Sequence, residues 1–316
     1  MEKAPKKKRR SFMSRHPRIR SVVYGIYALL FALIGILLFP LGLIPRRWTY
    51  KLGRFVGLHV TYYAIRRKCF LNLFYAYEDR MNAKRAEYLT KKIAVNLTYS
   101  FLDCFYLWMF KWRYRKYDPV EEWSDWGIVS KSMEAGHGVV VATAHYHCFE
   151  VMPVHFCYTR QGFDGGVIAR TFPSPLAVKL YTWLRKRYNI LSFYNDAKSI
   201  IRTLKRGRVV GVLPDLYAKR KYKVPTTFYG KPTTTFDIHF RVAALCDCPV
   251  VPAFLMRKKS CPWKYGLMFY DPIYLSKKPS EEEVDAKVQQ LSYVFEYHMR
   301  RFPTGWIWFH NKWRIF

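Results

Sequence analysis

GVVVATAHYHCFE, residues 138–150, is the stretch that decides the fold predicted for this chain. Its valines and alanine at 139–142 form a short apolar, β-branched run, which is typical of a strand covered on both faces. His145 and Glu150 follow directly. In α/β proteins the carboxyl end of a strand is where loops hold reacting groups on a rigid support. The stretch therefore predicts a buried strand that ends at a functional site.

Strand and helix patterns alternate on the C-terminal side of this stretch. Counting the first one, strands are predicted at residues 138–144, 166–169, 190–193, 209–213 and 250–255. Helices are predicted at residues 150–158, 175–188, 197–206, 236–246 and 280–301. Strands separated by helices of about 10–15 residues are typical of βαβ units. The sequence therefore predicts an α/β core at residues 127–316, with a mostly parallel sheet and helices on both faces.

The N-terminal part predicts attachment to a membrane. Residues 1–20 form a basic tail with nine Lys or Arg, and residues 21–45 carry no charge. An apolar helix of that length can span about 30 Å of hydrocarbon. We therefore expect a transmembrane or membrane-embedded helix at 21–45, followed by a helical, interface-associated region at 46–126. A spanning helix with basic residues on both sides favours an inside N-terminus and an outside core, whereas Pro40 and Gly42 favour a shorter piece that enters one leaflet and returns.

The charge and the cysteines limit the partners and the compartment. Lys and Arg outnumber Asp and Glu by 54 to 22, which gives a formal net charge of +32. Such a surface favours a negative partner, which is nucleic acid, anionic lipid or an acidic carrier protein. The seven cysteines are an odd number with no CxxC pair, which favours a reducing compartment over a disulfide framework.

The residues around His145 resemble a known family. AHYHCFE, residues 144–150, resembles the GHFGNWE block of the bacterial lipid A biosynthesis acyltransferases, the lauroyl and myristoyl transferases of the HxxxxD/E superfamily. Further blocks agree in order and spacing: IAR at 168–170 with SP at 174–175, KRG at 205–207, GVLPD at 211–215, FYGKP at 228–232, VVPAFLMR at 250–257 and GWIWFHNKWR at 305–314. The resemblance covers nearly the whole chain after the anchor.

Some positions depart from the family pattern. Ala144, His147, Cys148 and Phe149 stand where the family has two glycines, an asparagine and a tryptophan, and Ser174 stands where it has an asparagine. The pair of His145 and Glu150 is intact, so these departures concern the acceptor more than the reaction.

The resemblance implies an O-acyltransferase that moves a fatty acyl chain from an acyl carrier protein thioester to a hydroxyl of a lipid A precursor. It also implies an active site facing the cytoplasm at the bacterial inner membrane, with no cofactor and no metal. His145 would be the general base, because neutral imidazole suits that task near pH 7. Glu150 would accept a hydrogen bond from the other ring nitrogen and fix the tautomer.

Six further residues are candidates for the site. Arg170 is a candidate oxyanion donor, with a surface or phosphate-binding arginine as the equal alternative. Asp215 ends a predicted strand and is a candidate substrate-binding residue, although a loop cap paired with Lys219 or Arg220 is the preferred interpretation. A basic rim for the carrier protein or a headgroup is predicted from Lys219, Arg220, Arg185 and Arg187.

Other interpretations stay open at this point. The acceptor is alternatively a lysophospholipid, glycosyl lipid or aminolipid. A membrane-tethered nucleic-acid binder would also fit the charge, but the basic residues are spread along the chain and no recognition motif is present, so no nucleic-acid partner is expected. His147 and His155 suggest a metal site with His145 and Glu150, but the spacing does not make them converge. The tryptophan-rich C-terminus fits core packing and interfacial anchoring equally well.

Overall fold

The computed structural model describes residues 23, 26, 33, 36, 37, 39–111, 119–134, 136–159, 165–169, 175–218 and 223–316. Most of the anchoring helix predicted at residues 21–45 lies outside these ranges. Among the described residues, no helix combines the length and the apolar character needed to cross a membrane. The membrane anchor therefore stays a prediction, as does the division into four regions.

The helices lie in the regions where the sequence predicts them, except for one additional short helix at Gly127–Glu134. Within the described residues we number them α1 (Arg46–Val56), α2 (Tyr62–Tyr77), α3 (Ala83–Met109), α4 (Gly127–Glu134), α5 (Val151–Val154), α6 (Pro175–Lys186), α7 (Ala197–Leu204), α8 (Ile238–Leu245) and α9 (Glu281–Arg301). A π-helical turn, Gly57–Thr61, joins α1 to α2, and another, His155–Thr159, continues α5. Ser280 caps the N-terminus of helix α9, and its side chain accepts a hydrogen bond from the Glu283 amide.

The strands form one large sheet and one hairpin. They are β1 (Val120–Glu122), β2 (Val139–Ala142), β3 (Gly165–Ile168), β4 (Ile190–Phe193), β5 (Val209–Val212), β6 (Lys223–Phe228), β7 (Lys231–Phe236), β8 (Val250–Arg257) and β9 (Tyr265–Phe269). The sheet has the order β1-β9-β8-β2-β5-β3-β4. Its neighbours are parallel except for β8 and β9. The predicted α/β class with a mostly parallel sheet is confirmed.

Helices cover the sheet on both faces because the central strands are apolar on both. Val140 and Val210 pack with α2, α3, α7, α8 and α9. Val141 and Val209 point to the opposite face and pack with α4 and α5. This alternation is the period of two expected for strands, here buried on each side.

Four strands and the hairpin turn were not predicted. β1 and β9 extend the sheet at one edge, and β6 and β7 pair as an antiparallel hairpin with its turn at Tyr229 and Gly230. Both turn residues have positive φ, 57° and 70°, as a tight hairpin turn requires. Threonines and lysines fill much of β6 and β7. Apolar runs alone therefore do not reveal this pair.

A buried ion pair ties α3 to the sheet. Arg257 Nη2 lies 2.7 Å from Asp103 Oδ2, and both side chains are buried. The hydroxyls of Tyr50 and Tyr265 also donate to the Asp103 carboxylate. A buried pair costs much more to break than an exposed one, because breaking it leaves one charge buried and unpaired.

We expect Arg257→Met to lower the free energy of unfolding by about 3–5 kcal/mol, since Asp103 would stay buried without its cation. The neighbouring Lys258→Met is the matched control. Lys258 pairs with Glu121 at 2.5 Å in a more exposed position, so its loss is expected to cost less than about 1 kcal/mol. Urea unfolding of both variants measures the difference. Equal losses would contradict the structural role of the Arg257 pair.

Candidate active site

His145 and Asp215 form the central pair of the site. His145 Nδ1 lies 2.8 Å from Asp215 Oδ1, and the His145 backbone N–H donates to Asp215 Oδ2 at 3.0 Å. The Asp215 side chain is fully buried, whereas 26% of the His145 side chain is exposed. The carboxylate therefore holds the histidine from inside the protein while the ring faces outward.

The register of two parallel strands brings this pair together. Val139 pairs with Val209, and Val141 pairs with Gly211. His145 follows Val139 by the same number of residues as Asp215 follows Val209, so both side chains emerge at the same edge of the sheet. The strands VVVATAH and VVGVLPD end alike in a titratable residue. The sequence analysis missed this parallel, which becomes informative once β2 and β5 are known to be neighbours.

The electrostatics fix the tautomer of His145. Burial alone would raise the pKa of Asp215, but the His145 ring and its hydrogen bonds, with one from Trp306, hold that pKa below its usual value. Burial alone would lower the pKa of His145, but the charges of Asp215 and Glu150 and the Asp215 hydrogen bond raise it. Because Asp215 is ionised and only accepts, the neutral ring carries its proton on Nδ1. Nε2 is then the basic atom.

Trp306 completes the support of Asp215 from the C-terminal segment. Its indole Nε1 donates to Asp215 Oδ2 at 2.9 Å, and its ring is fully buried. Trp308 and Trp313 are buried as well and donate to the carbonyls of Pro303 and Phe228. Of the two interpretations left open for these tryptophans, the structure selects core packing.

Glu150 has a different partner from the predicted one. Its carboxylate is buried and accepts two hydrogen bonds from Arg185, at 2.5 and 3.2 Å. The predicted hydrogen bond from His145 to Glu150 is therefore wrong, because Asp215 takes the Nδ1 position and Arg185 takes the carboxylate of Glu150. Glu150 still acts on His145 through its charge, which contributes to raising the pKa of the ring. A catalytic role for Glu150 stays a prediction.

The structure corrects two further assignments. Asp215 was a candidate for oxyanion or substrate binding, but a buried, ionised carboxylate can only accept hydrogen bonds and cannot stabilise an oxyanion. Arg185 does not belong to an exposed rim, because it is buried against Glu150. Arg187 is half-buried and donates to the Trp108 carbonyl at 2.7 Å. Arg170, Lys219 and Arg220 lie outside the described residues.

The other histidines of the motif point elsewhere. The His147 backbone N–H donates to the Gly305 carbonyl at 2.9 Å, and its ring lies edge-on to Tyr146. His155 Nε2 lies 3.3 Å from Glu122 Oε1. Within the described residues, no three His, Cys, Asp or Glu side chains are grouped as a metal site requires. His147 and His155 therefore bind other parts of the protein.

An apolar cleft opens beside the pair. Its empty volume, counted together with the open solvent at its mouth, is about 490 Å³. Val141, Gly211 and Val167 form its floor on three neighbouring strands, while Met152 and Phe156 line it from the α5 segment. Thr143, Phe149 and Glu150 also line it, and the centre of the Phe149 ring lies 4.9 Å from that of the His145 ring. A base thus stands next to a cavity suited to a hydrocarbon chain.

Comparison with known families agrees with this arrangement. The family model described as bacterial lipid A biosynthesis acyltransferase matches residues 15–315, nearly the whole chain. The chain belongs to this family. A comparison with individual curated proteins finds no significant match. The family confirms the resemblance seen in the sequence and supports acyltransferase activity with a lipid acceptor.

In this acyltransferase the central residues come from three of the shared blocks. His145 lies in the block at 144–150, Asp215 ends the block at 211–215, and Trp306 lies in the block at 305–314. Tertiary hydrogen bonds join the three blocks at Asp215.

Proposed function

We propose that this acyltransferase moves a fatty acyl chain from an acyl carrier protein thioester to a hydroxyl of a lipid A precursor, at the cytoplasmic face of the bacterial inner membrane. The observation that carries the proposal is the pair of His145 and Asp215 beside an apolar cleft, which Phe149 lines while its ring packs against His145. A base at that place serves a reaction in which one substrate is a hydrocarbon chain with a reactive carbonyl at its end.

The reaction balances with the groups in place. The acceptor hydroxyl attacks the thioester carbonyl and forms a C–O bond, while His145 Nε2 takes the hydroxyl proton. The C–S bond then breaks, and the imidazolium returns its proton to the leaving thiolate. Asp215 holds the ring in the correct orientation and stabilises the imidazolium as it forms, because its carboxylate accepts from Nδ1 at 2.8 Å. No covalent enzyme intermediate is needed.

The donor assignment rests on charge. The chain has a formal net charge of +32, and an acidic carrier protein would be attracted by such a surface. Screening by salt weakens attraction of this kind before it affects the chemical step, so KM for the carrier should rise with ionic strength more than kcat changes.

The membrane assignment rests on helix α1, which directly follows the apolar stretch at 21–45. Trp48, Leu52 and Phe55 recur at helical spacing on one exposed face, and Thr49 and Tyr50 are buried on the other. Cations are interleaved with them, and Lys51 Nζ lies 4.5 Å from the centre of the Trp48 ring. Aromatic and basic side chains on one exposed helical face are typical of a helix lying in a membrane interface.

A spin label tests this placement in the full-length protein. We expect a label introduced by Leu52→Cys to become more accessible to oxygen and less accessible to a water-soluble nickel complex when vesicles of anionic phospholipid are added. Tyr293→Cys, at an exposed position of α9, is the matched control and should not change. Spectra of the unsubstituted protein correct for its own cysteines. A label at position 52 that stays exposed to the nickel complex would contradict the assignment.

The function itself is tested by mass spectrometry. Purified protein is incubated with a fatty acyl thioester of acyl carrier protein and, separately, with a lipid A precursor, a lysophospholipid, a glycosyl lipid or an aminolipid. We expect the lipid A precursor to gain the mass of one acyl chain. Transfer to one of the other lipids alone would select the alternative acceptor, and the departures at Cys148 and Phe149 beside His145 make this the second candidate.

A further inference from the structure

The cleft has a gap in the middle of its floor, at Gly211. This residue lies on β5 between its partners Val141 on β2 and Val167 on β3. Gly211 faces the same side of the sheet as Val209, which also lines the cleft. Where the flanking strands present valine side chains, β5 presents none. The depth of the cleft at this level is therefore set by a single missing side chain.

The fold opposes a side chain at Gly211 less than at the two neighbouring glycines of β3. A Cβ at Gly165 would come within 2.2 Å of the Val209 carbonyl oxygen, and one at Gly166 within 2.6 Å of the Phe193 ring, so close packing excludes side chains there. A Cβ at Gly211 would meet Val167 Cγ1 at 3.3 Å, a tight contact that a small shift of the Val167 side chain relieves, and the Gly166 oxygen at 3.8 Å, and its φ is not positive. Glycine weakens a strand interior. Backbone conformation therefore does not explain this glycine, and packing excludes a side chain less strictly here than at Gly165 and Gly166.

The gap lies along the path of an acyl chain held at His145. Gly211 comes four residues before Asp215, on the strand that leads to the acid of the central pair, and it lines the same cleft as Phe149, whose ring packs against His145. A chain whose carbonyl lies at His145 and whose tail follows the floor of the cleft would pass over Gly211. A side chain there would block the tail and leave the carbonyl position unchanged.

We propose that the cleft holds the acyl chain and that Gly211 sets the longest chain that the acyltransferase transfers efficiently. This inference rests on the proposed function, which supplies the acyl group. It adds a residue that determines specificity without touching the reacting atoms. One methylene more or less in an apolar pocket changes kcat/KM by about 10–200-fold, so a filled gap should discriminate strongly between chain lengths.

The test uses the full-length protein and a graded series of saturated acyl thioesters, from short to long. We expect Gly211→Val to reduce the ratio of kcat/KM for the longest efficient chain to kcat/KM for a shorter one by at least about tenfold. Gly211→Ala should shift the same ratio in the same direction by less. Val210→Ile, on the same strand but facing the other side of the sheet, controls for added bulk and for lost stability, and its ratio should stay at the wild-type value.

A binding measurement separates this inference from the proposed function. Non-hydrolysable thioether analogues of the same chains should raise the Tm of the wild-type protein, and the longest should lose that effect in Gly211→Val and, to a smaller extent, in Gly211→Ala. If the wild type transfers acyl chains while Gly211→Val keeps its chain-length profile, the role of Gly211 is refuted and the function stands. If the wild type transfers an acyl chain from none of the thioesters, the proposed function fails. If the thioethers stabilise the wild type and Gly211→Val equally, or stabilise neither, the cleft is not the acyl-binding site and this inference is refuted as well.

Discussion

Replacing His145 by alanine is expected to reduce the rate of acyl transfer by a factor of about 10⁴, because the reaction would lose its general base. His145 Nδ1 is held by Asp215, so Nε2 is the atom that takes the proton from the acceptor hydroxyl. Water cannot replace it efficiently beside an apolar cleft. The measurement is the single-turnover rate with saturating acyl carrier protein thioester and lipid acceptor.

The fold must be checked separately, because the substitution also removes one hydrogen bond from a buried carboxylate. Asp215 would keep the Trp306 indole and the backbone N–H of residue 145. A loss of stability of about 1–3 kcal/mol is therefore expected, and Tm would report it. His137→Ala is the control, since His137 is exposed just before β2. A folded His145→Ala protein with near wild-type turnover would refute the mechanism.

Asp215→Asn is expected to lower kcat by about 10³–10⁴-fold with the fold retained. An amide that donates a hydrogen bond to His145 would favour the tautomer with the proton on Nε2, which cannot act as the base. The substitution should also change the pH profile. The charge of Asp215 contributes to raising the pKa of His145, so the wild-type rate should rise with pH through a value above the ordinary 6.5. In Asp215→Asn that limb should move to lower pH.

Glu150→Gln is the comparison that distinguishes the two acids. It removes a charge that also raises the pKa of His145 but leaves the Asp215 hydrogen bond intact. The rising limb of the pH profile of Glu150→Gln should therefore move to lower pH, and its kcat should fall less than that of Asp215→Asn. It would also leave Arg185 buried without an ionic partner, so its stability should fall. A larger loss of kcat in Glu150→Gln than in Asp215→Asn would restore Glu150 as the orienting acid.

Much of the fold could be predicted because the central strands of the sheet are continuous apolar runs in the sequence. The predicted strands at 138–144, 209–213 and 250–255 match β2, β5 and β8 to within two residues at each end. β6 and β7 escaped the prediction because their stability comes from pairing with each other and from contacts with α9, which local hydrophobicity does not record.

The candidate site was predicted only in part. His145 could be found from the sequence, because a histidine at the carboxyl end of a buried strand is a local feature. Glu150 was a reasonable partner by spacing, since it follows five residues later, but spacing does not give direction. In the structure α5 begins directly after Glu150, and the carboxylate lies against Arg185 of α6.

The sequence by itself determined the α/β class, the strand that carries the base and the membership of the family. These follow from local patterns of apolar residues and from blocks of residues in a fixed order. Only the tertiary structure decided that Asp215 holds His145, that Trp306 holds Asp215 and that Gly211 opens the floor of the cleft. The two hydrogen bonds join residues that are 70 and 91 positions apart in the sequence. The gap at Gly211 depends on which strands are neighbours in the sheet. The physical reason is that strand register and strand order arise from packing the whole sheet, so no single stretch of the chain contains them.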